Sequence, residues 1–259
     1  MAKINILSVQ MHPECGEKMQ NLQKAKNLIE GAHINPDLVV FPEFFTTGVD
    51  FDVFVKQAEE EQHSETLRFL SNLAARYNTH IVCGTIIERE GDKFYNTSYM
   101  LDRQGQIEGK YRKIHLFNYM GGREGEYLTA GDETVVVNTD IGRIGMSVCF
   151  DIKFPLHARE LMKKGAQIIV SPTAWGSPIV EEWKALNIVR ASENALFFVS
   201  ADLCGEIPNC AVPASGNSAI VSPYGVVLDT LDKEEGVIFA QIDLDEVEKI
   251  RSEFPVESL

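Results

Sequence analysis

The chain has 259 residues, 44% of them apolar and 24% charged, with a formal net charge of −14. These proportions are those of a soluble globular protein with room for a sizeable core, and acids spread along the whole chain argue against a nucleic-acid partner, which needs a basic surface. No segment approaches the roughly 20 apolar residues of a membrane span, and the opening "MAKINILSVQMHPE" has too short an apolar run for a signal peptide.

"INILSVQM" predicts a first strand. "GEKMQNLQKAKNLIEGAH" sets Met19, Leu22, Ala25, Leu28 and Ile29 at helical spacing and stops at Gly31. "PDLVVF" is a nearly all-apolar second strand. "SETLRFLSNLAARYN" opens with Ser64 and an acid, then puts Leu67, Leu70, Leu73 and Ala74 on one helical face. "HIVCGTIIE" and "FYNTSYMLD" read as strands around the turn "REGDK". Beyond a polar loop come the strands "TVVVNT" and "RIGMSVCF", the helix "PLHARELMKKGA", the strand "QIIVSP", the helix "WKALNIVRASENA" and the strand "LFFVSAD". "NSAIVSPYGVVLDTL" predicts a hairpin through Pro223–Gly225, and "GVIFAQIDL" a last strand.

Two passages echo each other, "GAHINPDLVVFPEFF" and "KKGAQIIVSPTAW". Each ends a helix at Gly, runs through an apolar strand and reaches a Pro where the strand must stop. Either all α/β units share this pattern, or a unit is duplicated to give two related sheets. No low-complexity linker divides the chain, so residues 1–259 are expected to form a single domain of mixed strands covered by helices.

Open α/β sheets bind ligands beyond the C-terminal ends of their strands. Glu43 follows "DLVVFP", Cys149 ends "RIGMSV", and "SPTAW" follows "QIIV". Lys113 lies in "GKYRKIHLF", where basic residues precede an apolar run. A thiol attacking a carbonyl must be ionised or lose its proton to a base as it attacks. Glu43, desolvated between Phe41 and Phe44, suits that base, and an ammonium stabilises both thiolate and oxyanion. Each residue also has a plain structural reading: Cys149 as a packed hydrophobe, Lys113 as a surface charge and Glu43 as a salt-bridge partner. His157, eight residues past Cys149, and His115 beside Lys113 offer a rival Cys–His pair. His12, His33, His63 and His80 lack metal-ligand spacing, and neither metal nor cofactor is expected.

The five cysteines, Cys15, Cys83, Cys149, Cys204 and Cys210, are odd in number and irregular in spacing. They read as free thiols of a reducing cytoplasm, with a disulfide or metal clip across "GEIPN" (Cys204 to Cys210) as the alternative.

"VVFPEFFTTG", "GKYRKIHLF" and "GMSVCFDIKFP", in this order, resemble the three catalytic motifs of the nitrilase superfamily of carbon–nitrogen hydrolases. The likeness extends to "NILSVQM", "FYNTSYMLDRQGQI", "EGEYLTAGDE", "RASEN" and "GNSAIVSPYGVVL". It implies a four-layer α-β-β-α sandwich of two stacked mixed sheets with helices outside. It also implies a general base at Glu43, a lysine at Lys113, a nucleophile at Cys149 and a second glutamate at Glu124, with Glu126 the competing register. Family members associate as dimers or larger assemblies, so a homo-oligomer is expected. The implied reaction is amide hydrolysis through a thioester, with the Phe150 backbone N–H sharing the oxyanion. Trp175, just past "SPTA", either walls the pocket or packs in the core.

Within the family "FPEFFTTG" and "YRKIHLF" look most like the omega-amidase branch, whose substrates are small amides bearing a carboxylate. Arg112, Arg123 and Lys153 are candidate cations for that carboxylate. An N-carbamoyl amide hydrolase or a short aliphatic amidase is the alternative. A nitrilase fits less well, because Phe150–Asp151 stand where Trp–Glu is common. A thiol sensor on the same fold is the reading from a different class.

Overall fold

The opening strand, β1 (Ile4–Gln10), is buried on both faces. Ile4 and Ile6 enter one apolar cluster, Leu7 and Val9 another, as the two-residue period of a strand requires. A strand covered on both sides belongs to a layered α/β architecture. The computed structural model describes residues 3–207, 213–254 and 256. Cys210, and with it the clip considered for Cys204, lies outside them.

The other strands are β2 (Leu38–Val40), β3 (His80–Val82), β4 (Ile86–Glu90), β5 (Lys93–Leu101), β6 (Ile107–Arg112), β7 (Val136–Thr139), β8 (Gly142–Met146) and β9 (Ile168–Thr173). They continue as β10 (Phe197–Asp202), β11 (Cys204–Gly205), β12 (Ala214–Ser215), β13 (Ala219–Val221), β14 (Val227–Thr230) and β15 (Gly236–Ile242). The helices are α1 (Lys18–Gly31), α2 (Phe51–Gln57), α3 (Glu65–Tyr77), α4 (Glu124–Tyr127), α5 (Pro155–Lys163), α6 (Val180–Glu193) and α7 (Asp245–Glu253).

One sheet runs β15-β1-β2-β3-β5-β4, with β6 also on β5, and the other β14-β13-β10-β9-β8-β7. Each is built on a parallel triplet, β1-β2-β3 or β8-β9-β10. The two echoing sequence passages supply β2 and β9, the middle strand of each triplet. The sheets stack face to face: Ile6, Val40 and Val82 of the first share a core with Met146, Val170 and Val199 of the second. The Ser8 hydroxyl donates across this interface to the Ser200 carbonyl at 2.7 Å. Outside, α1 and α3 lay Leu22, Ile29, Leu67 and Leu70 on the first sheet, while α5 and α6 bring Leu161, Met162, Trp183 and Ala191 to the second. The architecture is the expected α-β-β-α sandwich.

Four local expectations change. The strand expected to stop at Pro172 runs through it to Thr173, because β8 ends at Met146 opposite Val170 and leaves that edge of β9 without a partner for the missing N–H. Residues 80–88 are two strands rather than one, broken at Gly84 with φ +57°. A Cβ there would come 2.1 Å from the Pro42 carbonyl oxygen, so only glycine lets the chain pass that close. β8 stops at Met146, and Cys149 begins a turn instead of ending a strand. Helices α2, α4 and α7 occupy stretches read as loop or left beyond the last strand. For α2 the signal was present, since Asp50 accepts the Asp52 N–H at 2.9 Å as an N-cap.

Candidate active site

The ends of β2 and β6 deliver two of the expected residues to one end of the sandwich. Beyond β2 the chain turns through Pro42 and Glu43 to Phe44, whose φ is +54°. The Thr85 hydroxyl accepts the Phe44 N–H at 3.0 Å and fixes this turn. Together with the close approach at Gly84, that contact seats Glu43, which is 1% exposed. Lys113 follows β6 directly, its own N–H donating to the Asn96 carbonyl at 2.9 Å and its carbonyl accepting from Gly131 at 2.9 Å. With both backbone groups anchored, its side chain runs into the protein and is also 1% exposed.

There it meets two carboxylates. Lys113 Nζ lies 2.9 Å from Glu43 Oε1 and 2.9 Å from Glu124 Oε2. Glu124, at the start of α4, is itself buried and accepts the Phe117 N–H. Glu126 instead lies on the surface, 3.6 Å from Arg123. The structure thus brings Glu124, not Glu126, to the lysine. Asn96 on β5 donates to Glu43 Oε1 at 2.7 Å and reaches Glu124 Oε1 at 3.4 Å. This residue was missed in the sequence: a polar side chain in "FYNTSYMLD" points inward, but alternation alone cannot say toward what.

Cys149 completes the group. It is 7% exposed, with φ +45°, in the left-handed region that non-glycine residues avoid. Such strain persists where surrounding bonds enforce it, typically at functional sites. Burial, then the nearby Glu43, raises the thiol's pKa well above its usual value, while Lys113 and the Ala174 N–H pull it back. The resting group is therefore a thiol. Burial opposes the Lys113 charge, but Glu124 and Glu43 outweigh it and hold the ammonium well above its usual range. Burial raises Glu124, with Lys113 opposing and Glu43 adding to the rise. Two carboxylates, one ammonium and one thiol thus share a nearly dry space, where charge interactions are strong.

The remaining sequence-predicted residues fall around this centre. The Phe150 ring packs edge-on against Phe117 and Phe154, with centroids 5.1 and 5.5 Å away. Trp175 is buried and stacked on Trp183 at 5.2 Å; its backbone N–H donates to Asp202 and its indole N–H to the Ile179 carbonyl. The rival Cys–His pair is not formed. His115 is bonded to Asp151 at 2.7 Å, and the His157 ring packs against those of Tyr111 and His115, with centroids 5.8 Å away in each case. Of the three candidate cations, Arg112 is clamped by Glu88 and Glu90, Arg123 pairs with Glu126, and Lys153 contacts Glu182.

A buried Glu–Lys–Cys group on a double-sheet sandwich defines a class, and comparison with known proteins gives the same one. The carbon-nitrogen hydrolase family model matches residues 6–252. The chain is 35% identical to the 2-oxoglutaramate amidase of Bacillus subtilis, over 98% of this chain and 96% of that protein. It is 33% identical to omega-amidase NIT3 of Saccharomyces cerevisiae, over 98% and 92% respectively. The crystal structure of yeast Nit3, a member of branch 10 of the nitrilase superfamily, superimposes with a TM-score of 0.90 at 31% identity, covering 98% of this chain and 94% of that one. The chain belongs to the carbon–nitrogen hydrolase family and is a hydrolase of linear amides.

Proposed function

We propose that this protein is a cysteine-dependent amidase of the omega-amidase kind, working as one catalytic domain on a small amide that also carries a carboxylate. The observation that carries the reading is Lys113 held between Glu43 and Glu124, beside a strained thiol at Cys149. The identity with a 2-oxoglutaramate amidase supports the substrate class.

Because the thiol is protonated at rest, its proton leaves as the bond to carbon forms. Glu43 accepts it while Cys149 Sγ attacks the amide carbonyl. Lys113 and the Phe150 backbone N–H hold the oxyanion. Glu43 then protonates the departing nitrogen, and ammonia leaves a thioester on Cys149. A water gives its proton to Glu43 and attacks the thioester carbon. Collapse expels the sulfur, which regains its proton from Glu43 as the acid product departs. Glu124, tied to Lys113 and the Phe117 N–H, orients the ammonium and takes no proton.

Lys153 is the cation for the substrate carboxylate. It emerges from the same turn as Cys149 and is half-buried. Its partner is the lone carboxylate of Glu182, whereas Arg112 is spanned by two. The protein is placed in the cytoplasm, consistent with the described free thiols, and as a homo-oligomer, with exposed Leu156 on α5 and Val189 on α6 available for contact. The test is ammonia release over 2-oxoglutaramate, glutamine, N-carbamoyl compounds, aliphatic amides and nitriles. The highest kcat/KM is expected on 2-oxoglutaramate, with a raised KM in Lys153→Ala. Steady hydrolysis by purified Cys149→Ala would contradict the catalytic reading, and a preference for uncharged amides would contradict the substrate assignment.

A further inference from the structure

The acid two residues past the nucleophile has no place in the cycle above, yet Asp151 is fully buried. Its two oxygens receive four donors. Oδ2 accepts the Tyr111 hydroxyl at 2.6 Å and the Val148 N–H at 2.9 Å. Oδ1 accepts the His115 N–H at 3.1 Å and its ring nitrogen at 2.7 Å. Val148 is the residue before Cys149, and Tyr111 and His115 stand two residues either side of Lys113. One carboxylate therefore ties the nucleophile turn to the strand end that carries the lysine.

Resting on the catalytic reading, we infer that Asp151 is a positioning residue that sets the strained Cys149 turn against Lys113 through its bonds to Val148, Tyr111 and His115. The left-handed φ of +45° at Cys149 needs a restraint, and the bond from the Val148 N–H supplies it at the adjacent residue. Burial opposes the Asp151 charge, but the His115 bond, the His157 ring and the remaining donors outweigh it and keep the carboxyl below its usual range. His115, Asp151 and His157 also place one ligand atom each within 4.8 Å of one another, as a metal centre would. With both Asp151 oxygens already accepting two donors, the cluster acts as a hydrogen-bonded clamp instead.

The clamp needs a carboxylate in particular. In Asp151→Asn one end of the side chain becomes a donor. Whichever end that is, it faces a backbone N–H, that of Val148 or that of His115, and neither can accept. A misplacement of about 1 Å costs on the order of 100-fold in rate. Asp151→Asn is therefore expected to keep KM and lose kcat about 100-fold, with the alkylation of Cys149 by iodoacetamide shifted to higher pH. A role confined to stability would lower Tm and leave both readouts at the wild-type value. Should Asp151→Asn fail to fold, Tyr111→Phe combined with His115→Ala removes two donors and keeps the two backbone ones. That variant is expected to lose kcat at unchanged KM, and a wild-type kcat would overturn the proposal. Cys149→Ala, run alongside, separates the claims. If it retains activity, the catalytic reading fails; if it is inactive while Asp151→Asn keeps wild-type kcat and alkylation profile, only the clamp fails.

Discussion

Two charged clusters sit at opposite ends of β2 and share a plan. At the exit, Lys113 lies between Glu43 and Glu124. At the entry, His80 lies between Glu108 and Asp140, with Arg103 joining Asp140 to Asp37 at 2.9 Å each. The difference is access to water and a reactive neighbour. The acids at the entry reach solvent, Asp140 with 60% of its side chain exposed, while Glu43 and Glu124 show 1% and 4%. Only the exit cluster adjoins a thiol on a strained turn. A basic side chain between two acids braces the fold at one end; sealed and set beside Cys149, the same arrangement becomes a site for chemistry.

The largest effect is expected from Lys113→Ala. It removes an oxyanion donor, typically about 10²–10³ in rate, and leaves two acids facing each other in the interior, with a stability loss of about 3–5 kcal/mol. Steady-state kinetics and urea unfolding read the two losses separately. At the entry, His80→Ala is expected to reduce stability by about 1–3 kcal/mol and leave kcat unchanged. A comparable fall in kcat there would break the division of labour between the two ends.

The ends also separate by pH. Burial alone would lower the His80 pKa, but Glu108 and Asp140 raise it above its ordinary 6.5. Its contribution is then fully present below pH 6.5 and lost as pH rises through the folded pKa. His157, near the exit, is shifted down from 6.5, first by burial, with His115 acting the same way and Asp151 opposing. Its contribution is present above that value and lost as pH falls through the folded pKa. Unfolding free energies from pH 5 to 9 should therefore lose part of their alkaline decline in His80→Gln and part of their acid decline in His157→Leu. Exchange of the two outcomes would contradict the assignment. The smallest effect is expected from Cys83→Ala, a buried thiol whose pKa burial pushes far up: about 1 kcal/mol of packing and no change in kcat.

Much of this was legible in the sequence. Apolar runs ending at Pro42 and Pro172 marked the middle strands of the two sheets, and Ser64 marked the start of α3, where its hydroxyl accepts the Leu67 N–H. Glu43, Lys113, Cys149 and Glu124 could be named from motifs that resemble a known family. The entry cluster could not be read, because His80, Glu108 and Asp140 come from separate strands and turns and meet only after the sheet has closed. Asn96 and Asp151 were hidden for the same reason. Each is a polar residue in an apolar stretch, and its use depends on partners contributed by other strands. The break at Gly84 depends on a carbonyl 42 positions back in the sequence, which no local pattern records.

The central claim is that the amide's acyl group passes through Cys149. Rapid-quench intact mass and peptide mapping during turnover of 2-oxoglutaramate test it directly. A thioester adduct on the Cys149 peptide, formed and discharged at the rate of ammonia release and lost in Cys149→Ala, is the predicted result. Ammonia release at the wild-type rate with no adduct on Cys149, or with an adduct on another cysteine, would contradict it.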